Sequence, residues 1–172
     1  MGKLFFTSSS LIFLIFLSCV TKLATSQSPL VTTFCHTKIQ DPEFCLKIFA
    51  SDPRFQTAKT VHDLETLAID LGAKFVKGIS NKCSILLQRE TDRNIKAVLG
   101  SCSGAYSLIS IDFNSMRVAF QTARPLSELG AGARAAVLKC NQDFDDMNLA
   151  SPLAQDNHDL LNFIQIIVGN SV

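Results

Sequence analysis

The chain has 172 residues with 16 basic and 15 acidic side chains, a formal net charge of +1, which suits one domain around a single core. No basic run or patch stands out, which excludes the electrostatic footprint of a nucleic-acid binder, and so even a balance gives long-range steering little part. Mean hydropathy is +0.25, and much of it comes from the N-terminus.

Residues 1–26 hold Lys3, an apolar run over 11–17 and then Ala24-Thr25-Ser26, with small residues three and one positions before Gln27. This predicts a secretory signal peptide cleaved before Gln27. The apolar run is far shorter than the ~20 residues that span a bilayer. Phe6 stands where a myristoylation signal needs Ser or Thr. Cleavage would remove Lys3, Lys22 and Cys19 and leave a net charge of about −1. No second long apolar run and no Asn-x-Ser/Thr sequon follows, so a soluble secreted protein without N-glycans is expected.

The mature region predicts an all-α fold. Residues 28–34 are expected to form one short helical turn. Asp41 is a good N-cap with Pro42 at N1, which predicts a helix from Pro42 to about Ser51. Cys35 and Cys45 bracket this stretch, and a disulfide between them would make it a helical hairpin that must lean on a larger body. Thr57 to Arg89 reads as one long helix with the stripe Leu64, Leu67/Ala68, Leu71, Phe75, Ile79, Cys83, Leu86. Gly72 and Gly78 interrupt it at about 1 kcal/mol each.

After the break at Thr91-Asp92, Ile95, Leu99, Cys102, Tyr106, Ile109, Phe113, Met116 and Phe120 alternate in steps of four and three along one helix face. Beyond Arg124-Pro125 the rhythm returns as Leu126, Leu129, Ala133, Ala136/Val137, Cys140, Phe144 and Met147. Two such helices pack antiparallel, and a cysteine on each inner face suggests a disulfide across the seam. A level bridge between Cys102 and Cys140 would centre the turn near residue 121 and end the first helix close to Phe120. Asp145 and Asp146 have the wrong sign for a helix C-terminus, which predicts fraying after Phe144. Ser151-Pro152 marks a loop, and a last helix runs from Leu153 or Asp156 to Val168 with Gly169 as its stop. The sum is an up-down-up-down four-helix bundle carrying an N-terminal hairpin, with residues 27–172 as one domain, 27–54 the hairpin and 55–172 the bundle.

Chemistry is sparse. His36, His62 and His158 form no ligand spacing, so no metal or other cofactor is expected. Neither a G-x-S-x-G nor a phosphate-cradling loop occurs, and Gly130 and Gly132 sit in a helical stripe where a neighbour can approach closely. Asp143, Asp145 and Asp146 read as a solvated helix end. Five cysteines survive cleavage, and Cys83, on an apolar stripe of its own, reads as the free buried thiol. No nucleophile stands beside a base, so the chain reads as a protein that acts through its surface rather than as an enzyme.

The cysteine spacing and several short elements carry a resemblance. They are Cys35 with Asp-Pro-Glu-Phe-Cys45-Leu46, Ser51-Asp52-Pro53-Arg54, Leu99-x-x-Cys102-x-x-x-Tyr106, Ala135-Ala136 before Cys140-x-x-x-Phe144, and Ser151-Pro152-Leu153. Together they resemble the plant invertase inhibitor and pectin methylesterase inhibitor family over nearly the whole mature chain. The resemblance implies bridges Cys35–Cys45 and Cys102–Cys140, with Cys83 outside the pattern. It also implies a secreted inhibitor in the apoplast or cell wall, with the vacuole as the alternative. Its partner would be a pectin methylesterase or an acid invertase, held in a stoichiometric complex that blocks the substrate cleft.

The Pro-Lys-Phe found late in many invertase inhibitors is absent, which points to pectin methylesterase. The acidic residues that pectin methylesterase inhibitors often carry two and six positions after the third family cysteine are here Gly104 and Leu108, and Lys139 precedes Cys140. Gly104, Ser107, Leu108 and Lys139 are therefore the candidate interface. The alternatives are an invertase inhibitor and a helical module that carries a small apolar ligand in its bundle.

Overall fold

The computed structural model describes residues 28–169, and the predicted leader lies outside the described residues. Among the described residues there are seven helices and no strand. They are α1 (Pro29–Lys38), α2 (Pro42–Ala50), α3 (Arg54–Thr57), α4 (Val61–Arg89), α5 (Arg93–Gln121), α6 (Ser127–Asp146) and α7 (Ala154–Val168). Each of α4 to α7 packs on the next, and α7 returns to α4, which closes an up-down-up-down four-helix bundle. Helices α1 to α3 form a small unit against α4 and α7.

Side-chain caps set three of the seven described helix starts. Asp41 accepts from the Phe44 N–H ahead of α2. Thr60 and Asp63 form a reciprocal capping box at the start of α4, and Asp92 accepts from the N–H groups of Asn94 and Ile95 at the start of α5. The starts also revise two expectations. Helix α1 runs three turns rather than one, because Val31, Phe34 and Cys35 bury against its neighbours. Helix α4 begins at Val61 rather than Thr57, since α3 makes a separate turn that extended Ala58 terminates.

Helix α5 ends at Gln121, close to Phe120 as the sequence reading placed it, whereas the end of α6 differs. Ala123 (φ 53°) and Asn148 (φ 52°) are both left-handed. After each, the chain folds back so that Arg124 N–H reaches the Ala119 carbonyl at 2.8 Å and Leu149 N–H reaches that of Phe144 at 2.9 Å. Helix α6 therefore continues through Asp145 and Asp146 instead of fraying, and Gln142 ties Asp146 at 2.7 Å. Met147 falls beyond the helix and is exposed, while Leu149 takes the packing position. The turn between α5 and α6 spans 122–126, later than a level bridge would put it. Ser101 pairs with Asp143 and Asp112 lies against Gly132, so Cys140 sits two residues short of the position level with Cys102.

Close packing explains two glycines. A Cβ on Gly72 would enter the Phe113 ring and one on Gly130 would enter the Val168 side chain, so α4 and α6 lie closer to their neighbours than Ala would allow. The buried line of α4 accordingly runs through Gly72 and Val76, with Leu71 and Phe75 only partly covered. In the N-terminal unit Phe49 stacks on Phe34 at 5.6 Å and on Phe55 at 4.0 Å. Phe44 meets Phe163 edge-on at 6.1 Å, and Phe75 stacks on the same Phe163 at 5.3 Å, which docks the unit on the bundle. Each buried ring contributes about 1.5–3 kcal/mol.

The disulfides staple these packings. Cys35–Cys45 joins α1 to α2 with Cα atoms 5.6 Å apart, and Cys102–Cys140 joins α5 to α6 at 4.8 Å. Beside the second bridge lies a buried polar chain that the sequence reading missed. Tyr106 donates to Asn157 Oδ1 at 2.6 Å, and Asn157 Nδ2 donates to Asn141 Oδ1 at 2.6 Å. Three helices thus share one satisfied network, and burial pushes the Tyr106 hydroxyl well above its ordinary pKa. Cys83 is a free thiol, fully buried, with Sγ 3.4 Å from the Leu99 carbonyl oxygen.

Candidate interaction surface

Helix α5 buries one stripe and leaves the opposite one bare. Gly100, Gly104, Ser107, Leu108, Ile111 and Val118 are exposed along about 27 Å of helix. Leu108, Ile111 and Val118 are 59%, 60% and 52% exposed, an unusual density of large apolar side chains for one helix face. From Gly100 to Val118 the only charged residues on α5 are Asp112 and Arg117. Arg117 turns towards α4, where its Nη2 lies 2.7 Å from Asp70. Across the seam, exposed Ala131 and Ala135 with Gly132 extend the small, uncharged surface onto α6.

Of the residues singled out in the sequence, Gly104, Ser107 and Leu108 share this face. Nothing lies within 4 Å of where a Gly104 Cβ would sit, and Ser107 turns its hydroxyl back to the Ser103 carbonyl at 3.0 Å. Lys139 stands across the seam, level with Ala105 by the register of the Ser101 and Asp112 contacts. It is not a free cation. Its ammonium is paired with Asp143, which also accepts from Ser101 at 2.5 Å, so a charged cluster borders the face and ties α5 to α6. Lys139 first, and Ser101 second, hold the Asp143 carboxyl below the usual range.

The surface continues where the sequence reading stopped. Ile111, Ser115 and Val118 run into an open groove of about 870 Å³ at the α5–α6 turn, closed by Arg124, Pro125, Glu128 and Leu129. Ile111 and Val118 stand off the apolar stripe of α5, and that was the signal available for this extension. Asp112 has a different signature. It is half-buried at the seam, no hydrogen bond or ion pair reaches it among the described residues, and burial pushes its carboxyl pKa up.

The rest of the molecule offers little reactive chemistry. Among the described residues no group of three or more His, Cys, Asp or Glu side chains is placed to hold a metal ion. His36, His62 and His158 are exposed, His62 stacking on Phe120 at 4.5 Å and His158 resting 3.5 Å from Asp159. Burial raises the Cys83 pKa, the opposite of what a nucleophilic thiol needs. No described helix is long and apolar enough to cross a membrane.

Residues 29–169 match the family model described as plant invertase/pectin methylesterase inhibitor. The chain belongs to this family. Among solved structures, this inhibitor-family chain is similar to a pectin methylesterase inhibitor from Arabidopsis thaliana. The TM-score is 0.59 at 15% identity, over 81% of this chain and 93% of that one, a likeness that shows the shared helical fold. No curated protein matches. The family, by its description, comprises inhibitors of invertase or pectin methylesterase.

Proposed function

We propose that this protein is a secreted, non-enzymatic inhibitor that docks the outer face of α5 and α6 on a plant pectin methylesterase and covers its substrate cleft in a one-to-one complex. Residues 1–26 would direct it to the apoplast. The observation that carries this reading is the family match over 29–169 in a chain that exposes Leu108, Ile111 and Val118 along one face of α5. About 27 Å of two adjacent helices gives a footprint of the order of the ~800 Å² per partner found in stable complexes. Gly104, Ser107 and Leu108 lie at its centre, Lys139 at its border, and the groove at Ile111 and Val118 could take an apolar side chain of the partner.

The absence of Pro-Lys-Phe favours pectin methylesterase over acid invertase as the target. A carrier role is disfavoured by the core itself, where Phe113 and Val168 fill the space over Gly72 and Gly130. The test is titration of a pectin methylesterase and an acid invertase with the purified mature protein at mildly acidic pH. Stoichiometric loss of the first activity alone is expected. Loss of invertase activity alone would reassign the target, and no loss of either at micromolar excess would end the inhibitor reading.

A further inference from the structure

Several acidic side chains around the bundle are answered. Asp143 is held by Lys139 and Ser101, Asp70 by Arg117, Asp156 by Lys82 at 2.6 Å, and Asp63 by the backbone of its own helix start. Asp112 and Glu128 are the exceptions on the α5–α6 face, and of the two only Asp112 is partly buried. Its Oδ2 lies 3.3 Å from the place a Cβ would occupy on Gly132, so any larger residue there would crowd the carboxylate by a few tenths of an ångström. One turn to either side on α5 stand Leu108 and Ser115, and across the seam Leu129 and Ala136, all uncharged, with exposed Glu128 next to Leu129 as a like charge that offers no pairing. A carboxylate that is partly desolvated and unpaired weakens the free protein and gains most from a cation brought in from outside.

We infer that Asp112 is the charged anchor of the docking face, and that its carboxylate, in the notch opposite Gly132, receives a lysine or arginine side chain of the target enzyme. This rests on the reading of α5–α6 as the docking face. The surrounding apolar surface excludes water on binding, which strengthens the pair and leaves any partner without a cation at that point facing an unpaired buried charge. Asp112 is thus a specificity-determining residue as well as an affinity one.

The test compares the full mature protein with Asp112→Asn, measuring inhibition constant and complex formation by calorimetry against the enzyme the parent inhibits, together with the Tm of each free inhibitor. The expected result is an inhibition constant raised about 10-fold or more, the scale of one charge-assisted hydrogen bond, with a Tm equal to or above that of the parent. Added salt should weaken the parent complex more than the variant complex. An inhibition constant within twofold of the parent overturns the inference, as does a fall in Tm that accompanies the lost inhibition, since that marks a structural role. If the parent itself inhibits neither enzyme, the docking reading fails in that arm, and the inference goes with it.

Discussion

Two glycines of α4, six residues apart, should respond to the same substitution in opposite directions. At Gly78 a Cβ meets nothing within 4 Å, so Gly78→Ala only restricts the unfolded chain and improves the helix, a gain of about 0.5–1 kcal/mol. At Gly72 the same gain is set against a Cβ driven into the ring of Phe113, which is fully buried and has no free space to move into. Overpacking of this kind costs about 1–3 kcal/mol, so Gly72→Ala should be net destabilising by about 1 kcal/mol. For a domain of this size that is a Tm about 3 °C below the parent, with Gly78→Ala about 2–3 °C above it. Differential scanning calorimetry of the parent and the two variants measures both shifts. Adding Phe113→Leu to Gly72→Ala should recover part of the loss, because the two sites share one contact. A rise in Tm for Gly72→Ala equal to that of Gly78→Ala would refute the close approach of α4 and α5.

Removing the Tyr106 hydroxyl with Tyr106→Phe strands the buried Asn157 Oδ1, and urea denaturation should show a loss of about 1–3 kcal/mol; an unchanged midpoint would mean that the network is not what holds the three helices in register. Replacing Cys102 and Cys140 together by Ala opens a loop of sequence separation 38 and should lower stability by about 3–4 kcal/mol, more than the same change at Cys35 and Cys45 with separation 10. Equal losses for the two pairs would argue against an unfolded-chain origin. The Asp52 carboxyl is lowered from 3.8 to about 2, chiefly by its hydrogen bond with Arg54. Its folded-state pKa is depressed, so its contribution is present above about pH 4 and fades as pH falls towards 2. The parent should therefore lose stability more steeply than Asp52→Asn across that window in a pH series of denaturation midpoints, and parallel curves would remove Asp52 from the account.

The bundle was legible because its helices obey a local rule. The four-three spacing of α5 places Leu99, Cys102, Tyr106, Ile109, Phe113 and Met116 in the core without reference to any other helix. What escaped was set by partners. Met147 continues the period of α6 in sequence, yet left-handed Asn148 turns the chain and gives the packing position to Leu149. Asn157 sits in a polar stretch, and only Tyr106 and Asn141 arriving from two other helices make it a buried residue. Gly72 looked like a local cost until Phe113 lay against it. The surface was half legible. Gly104, Ser107 and Leu108 were singled out through the family resemblance, by their place after Cys102, whereas the solitude of Asp112 and the pairing of Lys139 with Asp143 depend on how α5 and α6 are registered.

The burial of Cys83 bears on how the chain acquires its bridges. An odd thiol in an oxidising compartment invites mispairing, yet in the folded bundle Cys83 has no exposed surface and its sulfur rests against the Leu99 carbonyl. Once α4 has docked, neither a second molecule nor a small oxidant can reach it. Any wrong disulfide that uses Cys83 must then be made before that docking, while Cys83 still competes with Cys102 for Cys140. The packing of α4 on α5 therefore takes Cys83 out of the exchange, and folding conditions that delay it should yield chains scrambled or cross-linked through Cys83 even when the native fold is stable.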